Sequence, residues 1–340
     1  MQDFVHLHVH THYSLLDGQA SVSRLVDKAM KDGMKGIAIT DHGNMFGIKE
    51  FINYVNKKNK GVAPEERFKP IIGCEMYVAR RGKEKREGKQ DQSGWHLIVL
   101  AKNEKGYHNL IKLVSRAWTE GYYMRPRTDR KDLEKYHEGL IVCSACIGGE
   151  VPKKILNGQM EDAEEAVRWY KNLFGEDYYL ELQRHPATVE RANHEAYPLQ
   201  QQANKVMMEL AKKYDIKLIC SNDVHFVDEE NAEAHDRLIC LSTQKDLDDP
   251  SRMLYTKQEW MKTTAEMNAL FSDIPEALSN TVELLDKIEI YSINHGPILP
   301  NFPLPEGFTN NDDYLRHLTY EGAHRRWGKE LTEEQIERID

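Results

Sequence analysis

The sequence predicts an α/β fold whose parallel strands close into a TIM-like barrel, followed by a smaller, mostly helical segment. Three observations carry this. Short apolar runs rich in β-branched residues alternate with longer stretches of helical periodicity. Seven such strands fall before residue 222, packed closely enough to suggest closure. After about residue 250 the alternation stops. An open doubly wound sheet satisfies the same strand count and stands as the structural alternative.

Strands are expected at 4–10 (FVHLHVH), 36–40 (GIAIT), 70–78 (PIIGCEMYV), 96–101 (HLIVLA), 139–143 (GLIVC), 178–183 (YYLELQ) and 216–221 (IKLICS). Helices are expected near 21–32, 46–59, 104–117, 161–173 and 188–213. Ser21 is placed to cap the first of them, which carries Leu25, Val26 and Met30 and ends at Gly33. The run KTTAEMNALFSDIPEALSNTVELLDKIEI reads as helices, and a linker punctuated by Pro297, Pro300, Pro303 and Pro305 leads to a helix near 311–327. This divides the chain into a barrel over 1–272 and a helical segment over 273–340. The last residues, LTEEQIERID, are amphipathic and lack a stop signal, which predicts a continuation beyond Asp340.

Composition narrows the function classes. A formal charge of −9 argues against a uniformly basic nucleic-acid binder but leaves room for a local track. RRGKEKREGK at 80–89, with Arg80 and Arg81, and RPRTDRK at 125–131 are the two basic stretches. No run approaches the roughly 18 apolar residues of a membrane span, and MQDFVHLHVH does not read as a secretory signal. Five scattered cysteines argue against a disulfide framework. A cytoplasmic protein is expected.

The chemistry sits where strands end. Barrel enzymes place ligands and catalytic groups at the C-terminal ends of their strands. The first strand ends in His8-Val9-His10, and period-two alternation puts both rings on one face. Asp17 follows in SLLDG. The second ends in Thr40-Asp41-His42-Gly43, the third carries Gly73-Cys74-Glu75, and His96 lies on the fourth. The fifth runs into Cys143-Ser144-Ala145-Cys146, and the seventh into Asn222-Asp223-Val224-His225. A lone histidine at a strand end is usually a hydrogen-bonded core residue. So many ligand types at one mouth would instead leave buried, mutually repelling groups without a cation, and a multinuclear metal site resolves that.

The ordered motifs HLHVHTHYSLLDG, ITDHGN, GCE, the strand-four histidine, SAC and SNDVHF resemble those of PHP (polymerase and histidinol phosphatase) domains. Along almost the whole chain the sequence is similar to the N-terminal regions of bacterial DNA polymerase III alpha subunits. GYYMRPRTDRKDL, KDLDDP and ILPNFPLPEGF look like those subunits rather than stand-alone phosphatases. The resemblance implies a distorted (βα)7 barrel of PHP type leading into the polymerase palm. It implies up to three ions, zinc first with manganese or iron as alternatives, on His8, His10, Asp17, His42, Glu75, His96, Cys146, Asp223 and His225. One ion takes His8, His10, Glu75 and Asp223. A second shares Glu75 with His96 and Cys146, and a third takes Asp17, His42 and His225.

The activity implied is phosphoester hydrolysis, in the form of a 3′–5′ proofreading exonuclease, with His10, Glu75 and Asp223 as the residues whose loss stops catalysis. Pyrophosphate hydrolysis is a close variant. The alternative from another class is a metal-stabilised domain that docks a separate proofreading exonuclease subunit. Implied partners are a DNA primer 3′ end, the rest of the polymerase chain, the exonuclease subunit and the sliding clamp, with no membrane. The resemblance places the polymerase's own magnesium site beyond residue 340; the single Asp-x-Asp, Asp246-Leu247-Asp248, reads as part of a loop between the barrel and the helical tail. Arg184 and His185, after the sixth strand, join Arg80 and Arg81 as candidate substrate-binding residues. His6 and Asp41 read equally as packing residues or as supports for the ligands.

Overall fold

In the computed structural model, which describes residues 1–340, one sheet holds seven strands: β1 (Gly36–Ile39), β2 (Lys69–Ala79), β3 (Gly94–Ala101), β4 (Arg127–Thr128), β5 (Leu140–Cys143), β6 (Tyr178–Gln183) and β7 (Lys217–Ser221). The order is β1-β2-β3-β5-β6-β7, with the short β4 beside β2. Around it run α1 (Val22–Lys31), α2 (Ile48–Lys58), α3 (Glu104–Thr119), α4 (Arg130–Tyr136), α5 (Glu150–Leu156), α6 (Met160–Phe174), α7 (Ala196–Tyr214), α8 (Ala232–Thr243), α9 (Thr264–Leu270) and α10 (Pro275–Lys287). Each helix has a simple local cause. α1 buries Val22, Leu25, Val26 and Ala29, one stripe at helical spacing. α3 starts where the Asn103 side chain accepts the Gly106 N–H.

Two strand expectations need correction. Residues 4–10 do not form a ladder strand; the segment bends at His8. It still closes the barrel, because it bonds to the chain just past β7 on one side and to β1 and its C-terminal end on the other. The His10 N–H donates to Val224 O (2.7 Å), while the N–H groups of Ala38 and Thr40 donate to His6 O and Val9 O (2.9 and 2.8 Å). Second, the sheet is not all parallel: β3 runs antiparallel to both β2 and β5. Reversal brings the N-terminal end of β3, with His96, to the mouth reached by the C-terminal ends of its neighbours.

The barrel interior is layered. Val5, Leu7, Ala38, Ile71, Ile98, Ile141, Tyr179 and Ile219 form a fully buried apolar floor. Two or four residues further along the same inward faces come Glu75, His96, Glu181 and Asp223, so apolar floor changes to polar mouth by strand period alone. Leu284, Leu285 and Ile288, from α10 and just after it, seal the floor from below. Burying each such side chain stabilises the fold by about 1.5–3 kcal/mol. With α10 packed on the floor, the compact unit spans Met1–Tyr291.

A second unit, Ser292–Asp340, contains α11 (Asn311–Trp327) and α12 (Glu333–Ile339). The Asn310 side chain caps α11 by accepting the Asp313 N–H (2.8 Å), and Thr332 with Gln335 forms a capping box on α12. Of α11 only Ala323 is buried. Asp246 and Asp248 sit on an exposed loop in the first unit. No helix is long and apolar enough to cross a membrane.

Candidate metal centre

All nine residues implied as ligands meet at the mouth of the barrel. Glu75 is the hub. Its Oε1 lies 2.7 Å from His96 Nδ1, 3.6 Å from His8 Nε2 and 4.0 Å from Cys146 Sγ, and its Oε2 lies 3.6 Å from His10 Nε2 and against His42 Nδ1. Asp223 Oδ1 is 3.1 Å from His8 Nε2 and 3.3 Å from His10 Nε2. Asp17 Oδ2 is 2.8 Å from His42 Nε2 and 3.6 Å from His225 Nε2. Three triads bring one ligand atom each to within 4.8 Å of one another: His8-His10-Glu75, Glu75-His96-Cys146 and His10-His42-His225.

Backbone geometry sets these side chains. Gly43 has φ +61° and passes its N–H to Glu75 O (2.8 Å), which locks His42 beside β2; a Cβ there would lie 2.7 Å from Pro126. Asp223 adopts a left-handed φ of +46°, which a short polar residue tolerates, and so turns its carboxylate inward. The preceding Asn222 clamps that turn by donating to Gln258 O and Trp260 O.

Hydrogen bonds fix the ring tautomers. His8 Nδ1 faces Glu181 Oε1 at 2.7 Å; an ionised carboxylate only accepts, so Nδ1 carries the proton. Ser14 Oγ donates to Asp41 Oδ1 (2.7 Å) and so accepts from His10 Nδ1 (2.9 Å). His225 Nδ1 donates to Asp223 O (2.7 Å). All three Nε2 atoms thus point into the cluster. His8 Nε2 and His10 Nε2 stand 3.2 Å apart. His42 Nδ1, Glu75 Oε2, Asp223 Oδ1 and His225 Nε2 are buried and make no aligned hydrogen bond, only the charge contacts within the cluster.

Electrostatics follow the same design. Burial opposes charge on Glu75, but His96 and His42 hold its carboxyl well below the usual range. Burial likewise opposes charge on His8, His42 and His225. Asp223 and Glu181 nevertheless push His8 well above the ordinary histidine value, Glu75 does the same for His42, and Asp17 raises His225 to about 9. His10 is the exception: burial, with His42 and His225 beside it, lowers it to about 3. Burial also pushes the Cys146 thiol up, while the Gly148 N–H lies 3.4 Å from its sulfur.

The cluster opens into a cleft of about 840 Å³. His8 and His10 are sealed beneath it and Glu75 is nearly so, whereas Asp223, His42, Asp17 and His96 are 16 to 25% exposed and form its accessible floor. Of the candidate substrate residues only His185 lines this cleft. It is buried, its ring bonded to Gln200 Nε2 (3.0 Å) and Asn222 O (3.1 Å). Arg184 is engaged twice by Asp273. The basic run is spent locally: Arg81 pairs with Asp91 and Glu87, and Arg80 stacks on Trp95. The buried Arg127 pins the same loop through Lys83 O and Lys85 O.

Sequence reasoning missed several supports. Glu181 orients His8, the Tyr255 hydroxyl donates to Asp17 Oδ1 (2.8 Å), and His235 Nε2 lies 3.9 Å from the same atom. Glu181 had a usable signal, a carboxylate alternating with Tyr179 and Gln183 on one strand face. Tyr255 and His235 had none.

Residues 6–185, just over half of the chain, match the family model of the PHP domain. The chain belongs to the PHP domain family. This PHP chain is 44% identical over 334 residues to the DNA polymerase III subunit alpha of Borreliella burgdorferi, covering 97% of this chain and 27% of that protein. It is 40% identical to the subunit from Treponema pallidum (95% and 26%) and 38% identical to that from Thermus aquaticus (97% and 26%). It spans about a quarter of the length of these curated relatives. Solved structures resemble the PHP chain more loosely. A putative metal-dependent phosphoesterase from Bifidobacterium adolescentis has TM-score 0.38 at 15% identity, over 79% of this chain and 96% of the other. A histidinol phosphate phosphatase from Lactococcus lactis, complexed with zinc, L-histidinol and phosphate, has TM-score 0.35 at 12% identity, over 77% and 100%.

Proposed function

We propose that this chain is the PHP region of a DNA polymerase III alpha subunit and that its cleft is a metal-dependent phosphodiesterase, acting as a 3′–5′ exonuclease on DNA. The names of relatives 38 to 44% identical over nearly the whole chain support the first half. One observation carries the second: the Nε2 atoms of His8 and His10 converge at 3.2 Å among the buried carboxylates of Glu75 and Asp223 and the rings of His42 and His225, several of whose polar atoms make no aligned hydrogen bond. Such an arrangement is costly without a cation. The donor set of imidazole, carboxylate and one sulfur suits zinc, with manganese or iron at oxygen-rich positions.

Two or three ions, when bound, would supply Lewis-acid charge to a phosphate and acidify water. The chain's own residues do the rest. Glu181 and Ser14 hold the two deep rings in the tautomer that presents Nε2 inward. Tyr255 keeps Asp17 turned toward His42 and His225. Asp223, His42 and His96 form the accessible floor on which a phosphodiester would rest, and the deep layer excludes water.

The test is hydrolysis of a 5′-labelled single-stranded oligonucleotide with zinc or manganese present. Stepwise shortening from the 3′ end is expected, and Asp223→Asn should abolish it without loss of cooperative melting. If the metal-loaded protein cleaves neither DNA nor bis-p-nitrophenyl phosphate from mildly acidic to alkaline pH, the proposal fails and the docking role replaces it.

A further inference from the structure

One wall of the cleft is made of large apolar side chains left in water. Phe46 is 58% exposed, Trp118 42%, Tyr122 48% and Met124 64%, and all four line the same cavity as His42, His96 and Asp223. Soluble surfaces seldom gather such residues without an occupant. These are also ordered relative to one another. The Trp118 and Tyr122 rings stack with centroids 5.5 Å apart and planes 18° from parallel, and Phe46 lies 6.4 Å from Trp118.

The ledge is fastened to the ligand cluster. Trp118 Nε1–H donates to Gly43 O (2.8 Å), the residue directly after His42. Met124, with φ +64°, and Leu16, with φ +60°, are non-glycine residues in the left-handed region, and both line the cleft. Such backbone strain concentrates where side chains are held for a ligand. Beside Met124, exposed Arg125 forms no salt bridge; its guanidinium lies 5.8 Å from the Tyr77 ring, which stacks on His42.

We propose that Phe46, Trp118 and Tyr122 form a base-stacking platform for the unpaired terminal nucleobases of a single polynucleotide strand, with Arg125 on its phosphate. The platform names the substrate class of the cleft and rests on the phosphodiesterase reading. Flat aromatic faces accept any base, and a nearby unpaired guanidinium neutralises backbone charge, the combination by which single strands are held without sequence preference. The terminal phosphodiester then falls on the floor of Asp223, His42 and His96. A small phosphate monoester would use none of the platform.

The test is fluorescence anisotropy of a 5′-labelled oligothymidylate eight-mer with the intact protein. Trp118→Ala and Tyr122→Ala should each weaken binding about tenfold, as loss of one stacking partner does, and Trp118→Phe should restore most of it. Oligonucleotide binding should quench tryptophan emission in the wild type, and the quench should shrink in Trp118→Phe. Tyr122→Ala leaves the Trp118–Gly43 bond in place, so it reports even if Trp118→Ala fails to fold. Bis-p-nitrophenyl phosphate hydrolysis by the wild type tests the phosphodiesterase reading separately. Unchanged affinity in Tyr122→Ala and Trp118→Phe without altered quenching overturns the platform, as does a wild type that binds no oligonucleotide, and assigns the ledge to an apolar segment of a protein partner. Weakened binding in a protein that hydrolyses nothing supports the platform and sinks only the catalytic reading.

Discussion

The Nε2 atoms of His8 and His10 face each other at 3.2 Å, and each ring has already committed its Nδ1 proton, one to Glu181 and the other to Ser14. Without metal the carboxylates of Asp223 and Glu181 hold a proton on His8, shared from Nε2 with Asp223 and His10; a bound metal would take that proton's place. Removing metal should therefore destabilise the barrel. An ion present at 100 times its dissociation constant contributes about 2.7 kcal/mol, and each kcal/mol moves the melting temperature of a domain of this size by roughly 1.5–2 °C. Calorimetry before and after chelation should show a fall of about 4–5 °C per ion, reversed by added zinc. An unmoved melting temperature would mean that no metal is held there.

Glu75 touches five of the other candidate ligands. Glu75→Gln keeps its volume and removes its charge. The variant is expected to lose at least one metal equivalent, measured by elemental analysis after gel filtration. Metal content equal to that of the wild type would take Glu75 out of its bridging place.

Glu181 tests the support of the cluster rather than the cluster itself. Its Oε1 accepts from His8 Nδ1, from Ser221 Oγ (2.5 Å) and from Gln183 Nε2 (3.0 Å). Glu181→Gln can present an N–H to His8 and so favour the wrong tautomer. Affinity should fall about 10- to 100-fold, the usual effect of losing a carboxylate behind a histidine ligand, with stoichiometry at saturation unchanged. Competition against a chromophoric chelator measures this; wild-type affinity would show that the tautomer is set elsewhere.

The sequence reading reached the mouth of the barrel through strand ends. His8, His42, Glu75, Asp223 and His225 follow apolar runs whose period places them. Direction was not legible, because two-residue periodicity reads the same forwards and backwards, and so β3 was expected to run parallel. The bend at His8 was hidden for a related reason: histidine and apolar residues alternate on both sides of it. The ion pairs of the basic run were not legible either, because the acids that engage it, Asp91, Glu120 and Asp132, become its neighbours only on folding. The same holds for α10, an ordinary amphipathic helix until the open barrel floor beneath β7 gives its leucines a place.

Lys262 is a buried lysine away from the cluster. It is 5% exposed, its Nζ donates to Gln258 O (2.5 Å) and lies 3.3 Å from the centroid of the Trp260 ring. Burial lowers its pKa from 10.5 to about 7, more than the nearby Glu259, Glu266 and Glu229 restore. Between those two values the unfolded chain binds a proton that the folded chain does not. Stability from this group therefore rises with pH, by at most about 1.4 kcal/mol per unit. Below about 7 both states are protonated and the fold bears the full cost; above 10.5 neither is, and the cost is gone. Lys262→Met removes the titration while keeping much of the volume. Urea midpoints should favour the variant at about pH 6, and the gap should shrink steadily towards about pH 9. Taking the difference between the two proteins cancels the pH dependence of every shared group, metal ligands included. A gap that stays constant across that range would mean that Lys262 titrates as an ordinary surface lysine, and that the aromatic face of Trp260 with the carbonyl of Gln258 compensates for its burial.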